Sequence, residues 1–142
     1  MSEKVKKEIF EWIKVFALAI VFAFVITQFI KPTLVRGDSM YSTLEEGDYL
    51  IINRMSYKFG EPKRGDIIVF ESDLQQDDGT NKDLVKRVIG VSGDTIKIKD
   101  SKVYVNGKEL NEPYIHDEIT EGDIDTVVPE NSVFVLGDNR EI

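Results

Sequence analysis

Ser39 stands in the run Leu34-Val35-Arg36-Gly37-Asp38-Ser39-Met40-Tyr41-Ser42-Thr43-Leu44, between flexible, polar Gly37-Asp38 and apolar Met40. A serine hydroxyl is a poor nucleophile at neutral pH. It attacks a carbonyl only when a base takes its proton and donors receive the developing oxyanion. A Gly-Asp-Ser triplet alone reads as a surface turn, so the weight falls on what serves as base, and two residue types are on offer. His116 is the one imidazole; it lies in a polar stretch beside Asp117 and Glu118, where a solvated loop histidine is the plainer reading. The other is a lysine whose charged form is disfavoured by burial. Lys86 meets that demand best. If Leu84 to Ile89 is a strand, Leu84, Lys86 and Val88 share one face and Val85, Arg87 and Ile89 the other. Lys86 then lies between apolar neighbours, although an edge-strand lysine reaching for solvent fits the same pattern.

Composition removes other chemistries. The 142 residues allow one domain of ordinary size and an appendage. Cysteine is absent, which excludes disulfides, thiolate metal sites and cysteine nucleophiles, and a single histidine excludes a His-rich metal site. No cofactor or metal is called for. Of 18 Lys and Arg residues, six fall within 1–36, as do three of the 26 Asp and Glu residues. The remainder therefore holds 12 basic and 23 acidic side chains. Such an acidic body repels phosphate backbones, so nucleic acid is not an expected partner.

The elements that must position these residues begin with an anchor. Residues 1–8 are polar and lysine-rich, whereas Ile9 to Ile30 is almost continuously apolar, broken by Glu11, Lys14, Thr27 and Gln28. As a helix this span is about 33 Å long, enough to cross a hydrocarbon core of about 30 Å. Trp12 and Lys14 suit the interface. A buried core helix is the alternative, but its all-round apolar surface needs a larger body to cover it. A cleavable leader is another: Ala17-Leu18-Ala19 has the small-x-small pattern, yet inside the apolar run rather than after it. A retained anchor of membrane lipid contact is expected. Lys4, Lys6, Lys7 and Lys14 place its N-terminal end in the cytoplasm. Lys31-Pro32 is expected to end the helix, leaving residues 31–142 on the outer face.

That outer part reads as β. Short apolar runs at Tyr49–Ile52, Asp66–Phe70, Lys86–Val91, Thr95–Lys99, Val103–Val105 and Val133–Leu136 are separated by turn signals such as Asp100-Ser101 and Asn106-Gly107. Polar stretches at 71–83 and 116–125 read as loops, the first as a mobile one. No helical periodicity follows residue 32. The expectation is a mainly β fold: an N-terminal transmembrane helix, then a compact, mostly antiparallel sheet domain.

Taken in order, the anchor, Gly37-Asp38-Ser39-Met40, Gly47-Asp48…Asn53-Arg54, Arg64-Gly65-Asp66-Ile67-Ile68-Val69-Phe70, Lys86-Arg87-Val88-Ile89-Gly90…Gly93-Asp94 and Gly137-Asp138-Asn139-Arg140 resemble the bacterial type I signal peptidases of the small single-anchor kind. The resemblance covers nearly the whole chain. It implies a serine endopeptidase with a Ser/Lys dyad that cuts signal peptides from exported preproteins, after small residues, at the outer face of the cytoplasmic membrane. By position, it implies Ser39 as nucleophile and Lys86 as general base. The Ser39 N–H would join the oxyanion site, Gly37 stands where some relatives place an assisting serine hydroxyl, and Met40 would pack near the pocket for the small residue before the cut. Arg87, Asp138 and Arg140 would be structural supports. Two departures are visible: Ser42 replaces a proline usual in the family, and the chain stops at Ile142, where the family continues with a Ser-x-Asp-Ser-Arg segment. The chain is accordingly expected to be a fragment, the alternative being a catalytically impaired protein. Two rival readings are a self-cleaving repressor, which would need a DNA-binding domain in place of the anchor, and a membrane-anchored β domain that binds a partner without catalysis.

Overall fold

The computed structural model describes residues 2–115 and 119–140. Helix α1 runs over Glu3–Phe29, with none of its residues buried. It begins six residues before the expected Ile9, because Glu3–Lys6 and Glu11–Lys14 ion pairs one turn apart support the polar first turns. It ends at Phe29 rather than at Lys31-Pro32. Proline biases its predecessor toward extended backbone, and Ile30–Leu34 forms strand β1, paired antiparallel with β2 (Tyr49–Asn53) with Pro32 opposite Ile51. A single helical turn, α2 (Ser56–Phe59), follows; it is too short to leave the periodicity by which helices are read from sequence.

The body of the domain has two further antiparallel sheets. One holds β3 (Ile67–Gln75), β4 (Asn81–Val91) and β9 (Val133–Leu136), in the order β3-β4-β9. The other has the order β7-β6-β5-β8, from β5 (Thr95–Lys99), β6 (Lys102–Val105), β7 (Lys108–Glu109) and β8 (Ile124–Val127). The mainly β expectation is met. The expected loop at 71–83, however, is largely strand: β3 runs on to Gln75, β4 starts at Asn81, and Glu71 pairs with Asp83. Its polar sequence reflects a hairpin solvated on both faces, where burial imposes no apolar alternation. The expected loop at 116–125 likewise ends in strand, since Ile124 and Asp125 open β8 and pair with Ile98 and Lys97. Asn106 and Gly107 both take positive φ (52° and 78°), as a two-residue hairpin turn between β6 and β7 requires.

Ile89, Ile96, Ile98, Val103, Val105 and Val128 form the core, with Leu110, Ile124, Phe134 and Leu136 packed against it. The core thus joins β4 and β9 of one sheet to β5, β6 and β8 of the other. Gly90 sits at the closest approach: a Cβ there would lie 2.5 Å from Ile96 Cδ1 and 3.3 Å from Val128 Cγ2. Ile96 is fully buried within the core cluster, so its side chain can yield only by repacking its neighbours. Gly90→Ala should therefore destabilise the domain by about 1–3 kcal/mol, seen as a lower thermal midpoint; an unchanged midpoint would show that β4 does not need this close contact.

Candidate active site

Strand β4 distributes its side chains to two faces, and this separates two environments. On one face, Arg87 forms a two-pronged ion pair with Asp138, Nε to Oδ1 at 2.8 Å and Nη2 to Oδ2 at 2.6 Å. Its Nη1 donates to the Gly65 carbonyl (3.0 Å), and its guanidinium lies 3.9 Å from the centre of the Tyr114 ring. Asp138 is completely buried and the Arg87 side chain is 12% exposed. Thr43 Oγ1 donates to Asp138 Oδ2, which ties the segment after Ser39 to the same carboxylate. Tyr114 donates to Glu112 (3.0 Å), and burial followed by this neighbouring carboxylate pushes its phenol up from the usual value. Glu112 in turn pairs with Arg140, which also donates to Thr120 Oγ1 and to the Gly137 carbonyl, both at 2.6 Å.

On the other face, Lys86 lies opposite Ile68 of β3, itself buried. No hydrogen bond or ion pair joins its ammonium to another described residue. Burial, and secondarily the charge of Lys82, lower its pKa below the ordinary lysine value. Lys86 and Ser39 line one groove of about 720 Å³, together with Leu34, Val35, Met40 and Val69. Met40 and Val35 are buried, at 2% and 4% exposure, and so fix the backbone around Ser39. Gly37, with φ at +82°, holds a left-handed turn two residues earlier that glycine adopts without strain.

Gly137 is the point where the two candidates meet. A Cβ there would lie 2.3 Å from the Ser39 carbonyl oxygen and 3.3 Å from Lys86 Nζ. The Ser39 carbonyl accepts from the Asn139 N–H (3.1 Å), and Asn139 Nδ2 donates to the Asp38 carbonyl (3.2 Å). Segment 137–140 therefore stitches the serine loop to the lysine strand. The Ser39 hydroxyl and N–H donate to no described residue. The structure thus brings Ser39, Lys86, Gly37 and Met40 to one groove and Arg87, Asp138 and Arg140 to the network behind it. His116 lies outside the described residues. Sequence reasoning missed Tyr114, Glu112 and Thr43 as partners of that network, and Gly137 as a spacer. Only the Gly-Asp block hinted at the last.

This fold and groove define a helix-tethered β protein that presents one hydroxyl and one desolvated amine to an extended cleft. The family described as "Signal peptidase, peptidase S26" matches residues 9–142, and the chain belongs to it. It is 40% identical over 151 residues to Signal peptidase I of Bacillus licheniformis, spanning 99% of this chain and 78% of that relative. It is 38% identical over 156 residues to Signal peptidase IB of Staphylococcus aureus (strain COL), spanning 96% and 78%. A crystal structure of a signal peptidase I from Enterococcus faecalis V583 overlaps 58% of this chain and 80% of its own, at 32% identity and a TM-score of 0.46.

Removing one partner of a buried ion pair leaves the other charge uncompensated. Asp138→Asn should cost about 3–5 kcal/mol, and Thr43→Val, which removes one hydrogen bond, about 1–2 kcal/mol. Denaturant midpoints check both; equal, small losses would mean that the Arg87–Asp138 pair does not hold the domain together.

Proposed function

We propose that this protein is a membrane-anchored serine endopeptidase that removes signal peptides from exported preproteins, with Ser39 as nucleophile and Lys86 as general base. The observation that carries the reading is that Ser39 and an unpaired, partly desolvated Lys86 line one groove, with the Ser39 carbonyl and Lys86 Nζ both close to Gly137. Neutral Lys86 Nζ accepts the proton as Ser39 Oγ attacks the scissile carbonyl, and the Ser39 N–H receives the oxyanion. The protonated amine then passes its proton to the leaving amine, giving an acyl-enzyme. Lys86 next activates a water that hydrolyses the ester and restores Ser39.

The substrate's place follows from pairing. β9 covers β4 only over Arg87–Val91, so the same edge from Asn81 to Lys86 has no strand partner among the described residues. That edge and the segment 33–38 flank the groove. An extended peptide added there would gain backbone hydrogen bonds, with the side chains next to the cut lying toward Val35 and Met40. The 27 residues of α1 give about 40 Å of helix, enough for a membrane span with its lysine-rich end in the cytoplasm and the groove on the outer face. Membrane lipid is then a standing partner, and the anchor keeps the groove where tethered substrates are concentrated.

A lowered lysine pKa means that the neutral amine exists at lower pH than for free lysine, so turnover should rise with pH along a limb set by that one group. Ser39→Ala should abolish cleavage with the fold intact. Lys86→Arg should be as inactive as Lys86→Ala, because guanidinium keeps its proton; wild-type rates from the arginine variant would sink the dyad. Gly137→Ala should lower turnover at least about 10-fold through displacement of the Ser39 loop or Lys86. Unaltered kcat in a folded Gly137→Ala protein would mean that this close approach is not part of the site.

A further inference from the structure

Beyond the dyad, the groove carries a cation that the reaction does not use. Lys82 lies four residues before Lys86 on β4, on the same face by strand alternation, and lines the same groove. β4 is regular here, since the extra residues of the irregularity between Glu71 and Gln75 fall on β3. The Lys82 ammonium has no hydrogen-bond or ion-pair partner among the described residues. The other charges toward this end are engaged: Lys31 pairs with Asp83 at 2.8 Å, and Glu71 accepts from Asn81 Nδ2 at 2.8 Å. Arg36 and Asp38 belong to the segment leading to Ser39. The Asn81 amide leaves the charge of Glu71 in place, but by the register Glu71 shares the face of Asp83, opposite that of Lys82. Lys82 is thus a positive charge without an ion-pair partner among the described residues, lining the path of the substrate.

The polarity of that path can be read from the anchor. Lys31 is two residues past the end of α1, and its bond to Asp83 places the Asn81–Asp83 end of the groove beside the membrane exit. A signal peptide keeps its apolar part in the membrane, so this end receives residues before the cut. Four strand residues span about 13 Å, which puts the side chain facing Lys82 about four or five residues before the scissile bond.

We propose that Lys82 is a specificity-determining residue that favours an acidic and disfavours a basic substrate side chain about four or five residues before the cleaved bond. This rests on the proposed reading of the groove as the peptidase site. That the charge of Lys82 is felt at Lys86 supports its reach into the groove. Like charges in one partly desolvated cleft repel, opposite charges attract, and salt weakens both.

The test uses the full chain in detergent with synthetic signal-peptide substrates identical except for Glu or Lys at the fourth and fifth positions before the cut. At low salt, wild type should show kcat/KM about 3–10-fold higher for the Glu peptide, with the difference shrinking in 0.5 M salt (roughly a 4 Å Debye length). Lys82→Gln should erase the preference and Lys82→Glu should invert it, each ratio being taken within one variant so that altered overall activity does not enter. Equal rates for both peptides in wild type, or a preference that Lys82→Glu leaves unchanged, would overturn the assignment. Ser39→Ala run alongside separates the two failures: residual cleavage there condemns the peptidase reading, whereas no cleavage there with an unaltered preference condemns only the role of Lys82.

Discussion

The buried ion pair of Arg87 and Asp138 is the constraint on which the rest of the groove depends. A carboxylate with no solvent exposure is tolerable only if its oxygens are fully engaged, and here a forked guanidinium and the Thr43 hydroxyl engage them. Each of these donors comes from a different part of the chain. Arg87 brings β4, Thr43 brings the segment after Ser39, and Asp138 brings the stretch after β9. One carboxylate therefore fixes three segments that share no local sequence, and through Asn139 it carries the bond to the Ser39 carbonyl. Such a pair adds little net stability compared with an apolar replacement; its contribution is to specify one arrangement.

Strand alternation turns that constraint into chemistry. Because Lys86 and Arg87 are neighbours on one strand, holding Arg87 in its network aims Lys86 at the opposite face. There, Ile68 and the apolar lining of the groove strip water from the amine without supplying a counter-charge. Gly137 permits the serine backbone to come against the lysine, since any side chain at that position would occupy the space between them. A base made by desolvation alone is sensitive to nearby cations and to anything that admits water, and Lys82, which lines the same groove, is a cation that lowers the Lys86 pKa further.

The anchor and the groove are mechanically continuous as well. β1 follows α1 after one residue step, from Phe29 to Ile30, and Lys31 reaches across to Asp83 on β4. The helix thus ends on one wall of the groove and bonds to the other. An exposed pair of this sort is worth at most about 1 kcal/mol, so its effect is on orientation rather than on stability.

The sequence by itself determined what rests on local pattern. Apolar run length gives α1, short apolar runs between turn signals give β2, β3, β4, β5, β6 and β9, Asn106-Gly107 gives its hairpin, and the residue types make Ser39 with Lys86 the better-fitting pair for acyl chemistry in a chain without cysteine. The helix limits were blurred, because ion pairs in the first turns and the pairing of β1 with β2 moved both ends. The β3–β4 hairpin tip was illegible, since a strand solvated on both faces carries no apolar alternation. Only the tertiary structure decided which distant residues share an environment: Arg87 with Asp138 and Tyr114, Arg140 with Glu112, Gly137 with both Ser39 and Lys86. Those contacts join residues up to about a hundred positions apart, and their partners are chosen by sheet register and loop closure, which no local spacing encodes.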